Sequence, residues 1–436
     1  MFYNRENELK FLIDTHQNAQ NRALFTVLTG RRRIGKTALL LESVKEFNHV
    51  YLFVTRKNEV MLCADFVEII KSKLGIPIYG QITQFSSLFE LLLDYSKKEP
   101  FVLIIDEFQE FETINPSIFS EIQRLWDLNK EEAKLHLVVC GSVYSIMTRI
   151  FQDVKQPLFG RATHRLHLKA FNPNVIKSIL KKQDQEFNPI DLLAFYAISG
   201  GIPKYVELLE QQNAYTLDSI LKELFKPYSI WIDEGKWLLM DEFGKEYATY
   251  FSILSLISDS KTSRSEIESI LGQSVGGHLE RLESQYNLIQ SVRPLFAKPQ
   301  SRTMKYAIED PFLRFWFRFV YKHQQYIEAG NLEYARSLCE RDFRTFAGKT
   351  LEHWFISDFK QAGLFTNLGT WWDKKGHEID IIALDDKQKK AILFEVKLDK
   401  TRYRESELLE SATYLKNDLK DYEIELNCLG LEDVLG

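Results

Sequence analysis

The sequence reads LFTVLTGRRRIGKT over residues 24–37, an apolar run followed by a turn between two glycines. The run Leu24–Leu28 is typical of a strand, and Thr37–Phe47 has the pattern of a helix. Between them, Gly30–Thr37 satisfies the spacing GxxxxGK(S/T). Glycines let such a turn curl until its N–H groups converge on phosphate oxygens at the positive end of a helix. These features predict a phosphate-binding loop.

The residue types in this loop indicate how a nucleotide would be held. Lys36 is expected to reach the β- and γ-phosphates, and the Thr37 hydroxyl is expected to ligate Mg²⁺. A tight strand-to-helix turn without a ligand is the simpler alternative, but the flanking strand and helix favour nucleotide binding. The predicted nucleotide-binding residues of this segment are Gly30, Gly35, Lys36, Thr37 and Ala38.

A pair of carboxylates follows a second apolar run. Phe101–Ile105 is a continuous run of β-branched and other large apolar side chains, typical of a central strand covered on both faces, and it ends at Asp106 and Glu107. Asp106 is expected to support Mg²⁺, and Glu107 is expected to polarise the attacking water as general base. Alone, an exposed acidic pair opening a loop is the simpler interpretation. Beside a phosphate-binding loop, an ATP site is favoured.

Further apolar runs alternate with amphipathic stretches along the first 150 residues. Val50–Thr55 and Leu135–Cys140 are predicted strands, and Cys63–Leu74 is a predicted helix. This alternation predicts an α/β fold with a parallel, three-layered sheet. Beyond residue 170 the strand signal ends, and helical patterns continue to about residue 228, which predicts a small helical lid.

Composition limits the class of protein. The chain has 436 residues, enough for two to four domains, with 45% hydrophobic and 27% charged residues. The net charge of −5 excludes a uniformly basic coat protein, although a local basic site is compatible with it. The four cysteines show no CxxC spacing, no apolar run approaches the ~18 residues of a membrane span, and the charged start does not resemble a signal peptide. We therefore expect a cytoplasmic protein without a membrane partner.

The middle of the chain has the element order of a winged helix. Between residues 243 and 310, three short helical patterns precede two short strands at Asn287–Val292 and Lys305–Ile308. Glu280 and Glu283 would repel a phosphate backbone, so DNA contact and protein docking stay open as alternatives. The exposed polar positions predicted to meet DNA are Gln273, Ser274, His278 and Arg281.

The last hundred residues contain a second group of acidic residues. Two strands are predicted at Glu378–Leu384 and Ala391–Lys397. The strand period places Glu395 and Lys397 on one face, and Asp380 can lie opposite them in a hairpin. Glu352, on a helix predicted at residues 349–359, could supply a third carboxylate.

This order of residues resembles the PD-(D/E)xK nuclease fold. The resemblance implies that Asp380 and Glu395 bind Mg²⁺, that Glu352 assists, and that Lys397 positions the attacking water. No proline stands directly before Asp380, which departs from the named motif. An inherited but inactive fold that only binds nucleic acid or partners is the alternative.

Several ordered motifs together resemble the archaeal-type ATPases of the AAA+ superfamily. The resemblance covers essentially the whole chain, including the winged helix and the nuclease-like domain. The motifs are FYNRENEL (2–9), GRRRIGKT (30–37), DEFQ (106–109), VVCGS (138–142), PLFGR (157–161) and GGIP (200–203).

The resemblance implies roles that spacing alone does not assign. Asn4 and Arg5 would lie near the nucleotide base, and Ser142 would occupy a sensor position after the fourth strand. Arg161 would be an arginine finger, acting in cis or from a neighbouring subunit of a homo-oligomer, and Pro203 would touch the adenine from the lid. The simpler alternatives are a surface arginine in a turn and a helix start after two glycines.

These patterns predict an ATPase that couples ATP and Mg²⁺ binding to DNA or RNA binding or cleavage. Two alternatives stay open: a DNA-binding regulator switched by ATP, and a partner-binding scaffold with an inactive nuclease fold. The predicted domains are a P-loop ATPase core (1–170), a helical lid (171–235), a winged helix (236–310) and a linker helix with a nuclease-like domain (311–436).

Overall fold

The computed structural model describes residues 3–182, 187–243, 247–298 and 303–435. Phe2 of the first predicted motif lies outside them. The chain forms two compact units, residues 1–169 and 170–436. The predicted limit of the ATPase core lies at this division, and the other predicted domain limits stay predictions.

The first unit is built on a five-stranded parallel sheet in the order β2-β3-β4-β1-β5. The predicted parallel α/β sheet is therefore confirmed. The strands are β1 (Leu24–Gly30), β2 (His49–Phe53), β3 (Phe101–Asp106), β4 (Leu135–Gly141) and β5 (His164–Leu168).

Strand β5 was missing from the sequence prediction. It pairs only with β1, at the edge of the sheet, and its residues alternate between half-buried and exposed until Leu168. Such a strand carries few apolar residues, so its hydrophobic signal is weak. By contrast, every residue of β3 and β4 is buried.

Seven helices of the first unit are described. Helix α3 starts four residues earlier than predicted, because the Asn58 side chain accepts a hydrogen bond from the Met61 amide and caps it. Helix α2 ends at Ser43, short of the predicted Phe47. The helices are α1 (Glu6–Asn18), α2 (Lys36–Ser43), α3 (Glu59–Leu74), α4 (Phe85–Ser96), α5 (Phe111–Ile114), α6 (Ser117–Asn129) and α7 (Tyr144–Gln152).

The second unit begins with helices. The apolar face predicted for the second winged-helix element is buried, at Val275, Leu279, Leu282 and Tyr286. The helix there is shorter than predicted and continues as a wider turn at Arg281–Gln285. These helices are α8 (Pro173–Lys181), α9 (Pro189–Ser199), α10 (Pro203–Gln211), α11 (Leu217–Leu224), α12 (Ile230–Phe243), α13 (Tyr247–Ser258), α14 (Arg264–Leu271) and α15 (Gly276–Glu280).

An antiparallel pair, β6 (Ile289–Val292) and β7 (Lys305–Ile308), follows α15. Glu283 accepts hydrogen bonds from the amide and hydroxyl of Ser291 at 2.7 and 2.6 Å. The Glu283 carboxylate is therefore bonded to β6, and its repulsion of a phosphate backbone stays a prediction.

The unit ends with a four-stranded mixed sheet in the order β11-β10-β9-β8. The two predicted strands are present, as an antiparallel pair. None of the described helices is long and apolar enough to cross a membrane. The remaining elements are α16 (Pro311–Phe315), α17 (Gln324–Glu328), α18 (Leu332–Ala362), β8 (Asn367–Trp372), β9 (Glu378–Asp385), β10 (Lys390–Lys397), α19 (Glu405–Thr413) and β11 (Glu423–Gly430).

Two buried histidines link α1 to the sheet of the first unit. The Nδ1 atoms of His16 and His136 lie 2.6 Å apart. The Ser43 hydroxyl donates to the Leu40 carbonyl, so it accepts from His16 Nε2–H, and His136 Nδ1–H then donates to His16. The Thr26 hydroxyl completes the chain by donating to His136 Nε2 at 2.7 Å. In this chain of hydrogen bonds, every donor has an acceptor when both imidazole rings are neutral.

This network predicts a loss of stability in acid. Burial, with a smaller contribution from His49, lowers the pKa of His16 to about 4. Between pH 6.5 and 4 the unfolded chain therefore binds a proton that folded His16 does not. The free energy of unfolding should fall by about 3 kcal/mol as the pH drops through this window. Calorimetry of thermal unfolding at a series of pH values in this window measures it.

His16→Asn should reduce this pH dependence by the His16 contribution, while His136, whose pKa burial also lowers, keeps its own. Gln17→Ala, which removes an exposed neutral side chain of α1, is the control and should leave the dependence unchanged. The same slope in wild type and His16→Asn would contradict the assignment of neutral rings.

Candidate functional site

The glycine-bracketed loop joins β1 to α2, as predicted. Gly30 ends β1 where a Cβ atom would lie 2.8 Å from the Leu168 carbonyl oxygen of β5, so a larger residue would displace the loop. Gly35 has a φ of 91° and precedes the first helical residue, Lys36. The loop therefore leads directly into the N-terminus of a helix, where backbone N–H groups and the helix dipole favour a phosphate.

Lys36 folds back over the loop. Its ammonium donates to the carbonyls of Gly30 at 2.8 Å and Arg31 at 3.2 Å. The residue is buried, and burial lowers its pKa, while the negative charges of Glu107 and Asp106 oppose this shift.

The Asp106 carboxylate, at the end of β3, accepts four hydrogen bonds. Its Oδ2 accepts from Thr37 Oγ1 and from the Tyr51 hydroxyl, both at 2.7 Å. Its Oδ1 accepts from Cys140 Sγ at 2.8 Å and from the Glu107 amide at 2.9 Å. The structure thus brings the predicted Thr37 and Asp106 together and adds two residues, Tyr51 and Cys140, for which no role was predicted from the sequence.

Glu107 leaves β3 in the left-handed region, with a φ of 54°. A non-glycine residue rarely adopts this conformation, which is costly and occurs often at functional sites. Its Oε2 accepts from Ser142 Oγ at 2.8 Å and from the Gln109 side-chain amide. The predicted general base and the predicted sensor residue are therefore in contact.

Arg5 also reaches the loop. One guanidinium nitrogen donates to the Lys169 carbonyl at 2.7 Å and to the Ile34 carbonyl at 3.5 Å, and the other pairs with Glu8. Asn4 precedes it in the left-handed region, with a φ of 47°. The predicted position of Asn4 and Arg5 beside the nucleotide base stays a prediction.

Arg161 is not brought to this cluster. It precedes β5 and pairs with Asp127 at 3.1 Å. It lines a surface cavity of about 460 Å³ together with Leu24, the first residue of β1. The phosphate loop follows Gly30, the last residue of β1. Because β1 has seven extended residues, its two ends, and so Arg161 and the loop, lie on the order of 20 Å apart. Action of Arg161 in cis is therefore not supported, and action from a neighbouring subunit stays a prediction.

Pro203 lies in the second unit, as the first residue of α10. It follows Gly200 and Gly201, both at positive φ, and a Cβ on Gly201 would lie 2.1 Å from the Phe171 carbonyl oxygen. This packing explains the two glycines. The contact of Pro203 with adenine stays a prediction.

A second carboxylate group lies within the last sheet. Asp380 on β9 accepts a hydrogen bond from the Val396 amide of β10 at 2.8 Å. On the same strand as Val396, Lys397 is hydrogen-bonded to Glu395. Glu352, on α18, pairs with Lys349 at 2.9 Å.

The electrostatics of these residues show that they influence one another. Burial raises the pKa of Asp380 to about 6, and the Glu395 charge adds to the shift while Lys349 opposes it. Burial also raises the pKa of Glu352 to about 7. The positive charge of Lys349 opposes this shift, and the negative charge of Asp380 adds to it. The structure therefore brings the four predicted residues together and adds Lys349. Lys349 stands three residues before Glu352, a spacing that places both side chains on one face of a helix. The pair could therefore have been predicted from the sequence.

The donors of the two sites differ in how well they suit Mg²⁺. Across the ranges that the structure describes, no three His, Cys, Asp or Glu side chains are arranged to hold a metal ion. At the first site, a hydroxyl and a carboxylate lie 2.7 Å apart. Mg²⁺ is commonly held by one or two protein oxygens together with substrate phosphates, so Thr37 and Asp106 fit it.

Comparison with known proteins identifies two families. Residues 2–209 match a family described as an ATPase domain predominantly from Archaea. Residues 316–409 match a family described as Archaea bacterial proteins of unknown function. An uncharacterized protein of Methanocaldococcus jannaschii is 30% identical, over 97% of this chain and 94% of that protein.

Two solved structures are also similar to this chain. The Walker-type ATPase of Pyrococcus abyssi is 17% identical and matches over 72% of this chain and 96% of its own, with a TM-score of 0.54. The ORC2 protein of Aeropyrum pernix, solved in ADPNP–ADP complexes, is 17% identical over 75% of this chain and 94% of its own, with a TM-score of 0.48. The first of these likenesses supports the fold.

Proposed function

Because this chain belongs to the family of archaeal ATPases, we propose that it hydrolyses ATP at the site formed by Lys36, Asp106 and Glu107. The observation that carries this assignment is the 2.7 Å hydrogen bond from Thr37 Oγ1 to Asp106 Oδ2. It joins the two oxygen ligands suited to Mg²⁺ directly beside the phosphate loop.

Different residues of the site would have different roles in ATP hydrolysis. When bound, Mg²⁺ would neutralise charge on the phosphates. Lys36 would leave the Gly30 and Arg31 carbonyls and donate to phosphate oxygens instead. Ser142 and Gln109 hold Glu107 through Oε2, so we assign Oε1 to accept the proton of the attacking water.

We also propose that Arg161 acts on the nucleotide of a neighbouring subunit. Its place beside the first residue of β1, away from the loop, supports this assignment. An arginine supplied in this way stabilises charge that develops on the γ-phosphate during transfer. A homo-oligomer is then required for full activity.

For the second unit, we propose that nucleotide state controls the binding or cleavage of DNA or RNA. The order of three helices and a β-hairpin supports a winged helix, and the cluster of Asp380, Glu395 and Lys397 supports a nuclease-like domain. A second candidate is an ATP-switched DNA-binding regulator or scaffold. It is favoured by the pairing of Lys397 with Glu395. It is also favoured because no three His, Cys, Asp or Glu side chains among the described residues are arranged to hold a metal ion.

The ATPase assignment predicts different effects for two substitutions. Lys36→Ala should weaken ATP binding by about 10- to 100-fold, because a charged hydrogen-bond donor to phosphate is lost. Glu107→Gln should leave ATP affinity unchanged and lower kcat about 100-fold or more. Calorimetry and phosphate release measure the two effects. Lys45→Ala, which removes an exposed lysine paired with Glu42, is the matched control. Wild-type ATP affinity in Lys36→Ala would refute the site.

The role of Arg161 predicts complementation between inactive chains. Arg161→Ala and Glu107→Gln should each lose about 1,000-fold in turnover. Mixing the two should restore activity, since one subunit then supplies the arginine and the other the base. Arg124→Ala, on the exposed face of α6, should turn over ATP normally. Full activity of Arg161→Ala alone would show that the arginine has no such role.

The carboxylate cluster predicts a pH dependence for Mg²⁺-dependent cleavage. Metal binding needs ionised carboxylates, and Asp380, with a pKa near 6, is about nine-tenths protonated at pH 5. Cleavage of labelled DNA or RNA should therefore rise about tenfold from pH 5 to pH 8. Asp380→Asn should abolish it, and Asp386→Asn in the exposed turn should not. A wild-type chain that cuts neither substrate, yet retards a DNA probe in ATP, would favour the regulator.

A further inference from the structure

The Asp106 carboxylate has no acceptor position to spare. A carboxylate offers about four lone-pair positions, two on each oxygen. Thr37 and Tyr51 occupy those on Oδ2, and Cys140 and the Glu107 amide occupy those on Oδ1. Because the residue is also buried, these donors determine how the carboxylate is oriented.

The four donors differ in whether they could release Asp106 when a metal ion binds. The Glu107 amide is backbone next to Asp106, and Cys140 is a buried residue of the neighbouring strand β4. A phenol and a thiol are ordinarily protonated at neutral pH, so Tyr51 and Cys140 are both donors to Asp106. Thr37 alone belongs to the phosphate loop, and its oxygen is also the proposed metal ligand.

We propose that Tyr51 is a positioning residue for the Mg²⁺ site. Together with Cys140, Tyr51 fixes the orientation of the Asp106 carboxylate. The acceptor position of Oδ2 that Thr37 occupies is then the one that faces the metal site. The inference rests on the function proposed above. It adds a residue from β2 to a site otherwise built from the phosphate loop, β3 and β4.

The sheet explains how Tyr51 reaches this point. Strand β2 pairs with β3 in parallel, with Tyr51 beside Ile104 and Phe53 beside Asp106. Val50 and Leu52 point into the core, so the alternation of the strand turns Tyr51 to the other face. Its hydroxyl then donates to Asp106 at 2.7 Å. A phenylalanine would keep the ring and remove only this donor.

Nucleotide affinity with and without Mg²⁺ tests the proposal. ATP is titrated into Tyr51→Phe by calorimetry, once in Mg²⁺ and once in EDTA. Affinity in EDTA should equal that of wild type, which also shows that the loop is folded. The gain in affinity from Mg²⁺ should fall about tenfold, as is usual when a group that orients a metal ligand is removed.

Three further variants sharpen the result. Cys140→Ala should also reduce the Mg²⁺-dependent gain, and Cys140→Ser, which keeps a donor, should restore it. Tyr79→Phe removes the hydroxyl of an exposed tyrosine in the same unit and should match wild type. Mn²⁺ titration of the ADP complex by electron paramagnetic resonance should show the same weakening without reference to turnover.

Each contrary result has a distinct meaning. A full Mg²⁺-dependent gain in Tyr51→Phe would overturn the positioning role and leave the proposed ATPase site intact. An equal loss of affinity in EDTA and in Mg²⁺ would also overturn it, because the hydroxyl would then support the loop. A wild-type chain with no gain from Mg²⁺ would overturn the proposed metal site itself, and this inference with it.

Discussion

The buried carboxylate of Asp106 joins several elements of the first unit by hydrogen bonds. Its four hydrogen bonds come from α2, from β2, from β4 and from the backbone that follows β3. A charge removed from water is costly unless donors replace its hydration. Asp106 has those donors, and each of them belongs to an element that the sheet order brings to one edge. The phosphate loop, Glu107 and Ser142 lie around this carboxylate.

The two acidic sites use carboxylates in different ways. Asp106 is saturated with donors before any ligand arrives, so its orientation is determined by the fold. Asp380 has one backbone donor and lies among other carboxylates, which together with burial raise its pKa. The first arrangement favours a preorganised site. The second gives a group of side chains whose charge depends on pH, with Lys349 and Lys397 as the neighbouring positive charges.

Much of the fold could be predicted from patterns within short segments. The strands at residues 24–30, 101–106 and 135–141 are rich in apolar residues, and their burial on both faces explains the strength of that signal. Edge strand β5 has no such run and was missed. The predicted helix at residues 349–359 is part of the much longer α18, whose first half is rich in charged residues. Hydrophobic pattern follows burial, so it is weakest where a segment is exposed.

The sequence by itself determined the phosphate loop, the Asp106–Glu107 pair and the two strands that carry Asp380 and Glu395. Each of these is a local feature, because its geometry depends on residues only a few positions apart. Tertiary structure alone decided that Tyr51, 55 residues from Asp106, shares its carboxylate with Thr37, that Arg161 lies at the far end of β1, and that Glu283 bonds to β6. Those outcomes depend on strand order and on burial, which arise only when distant segments pack against one another.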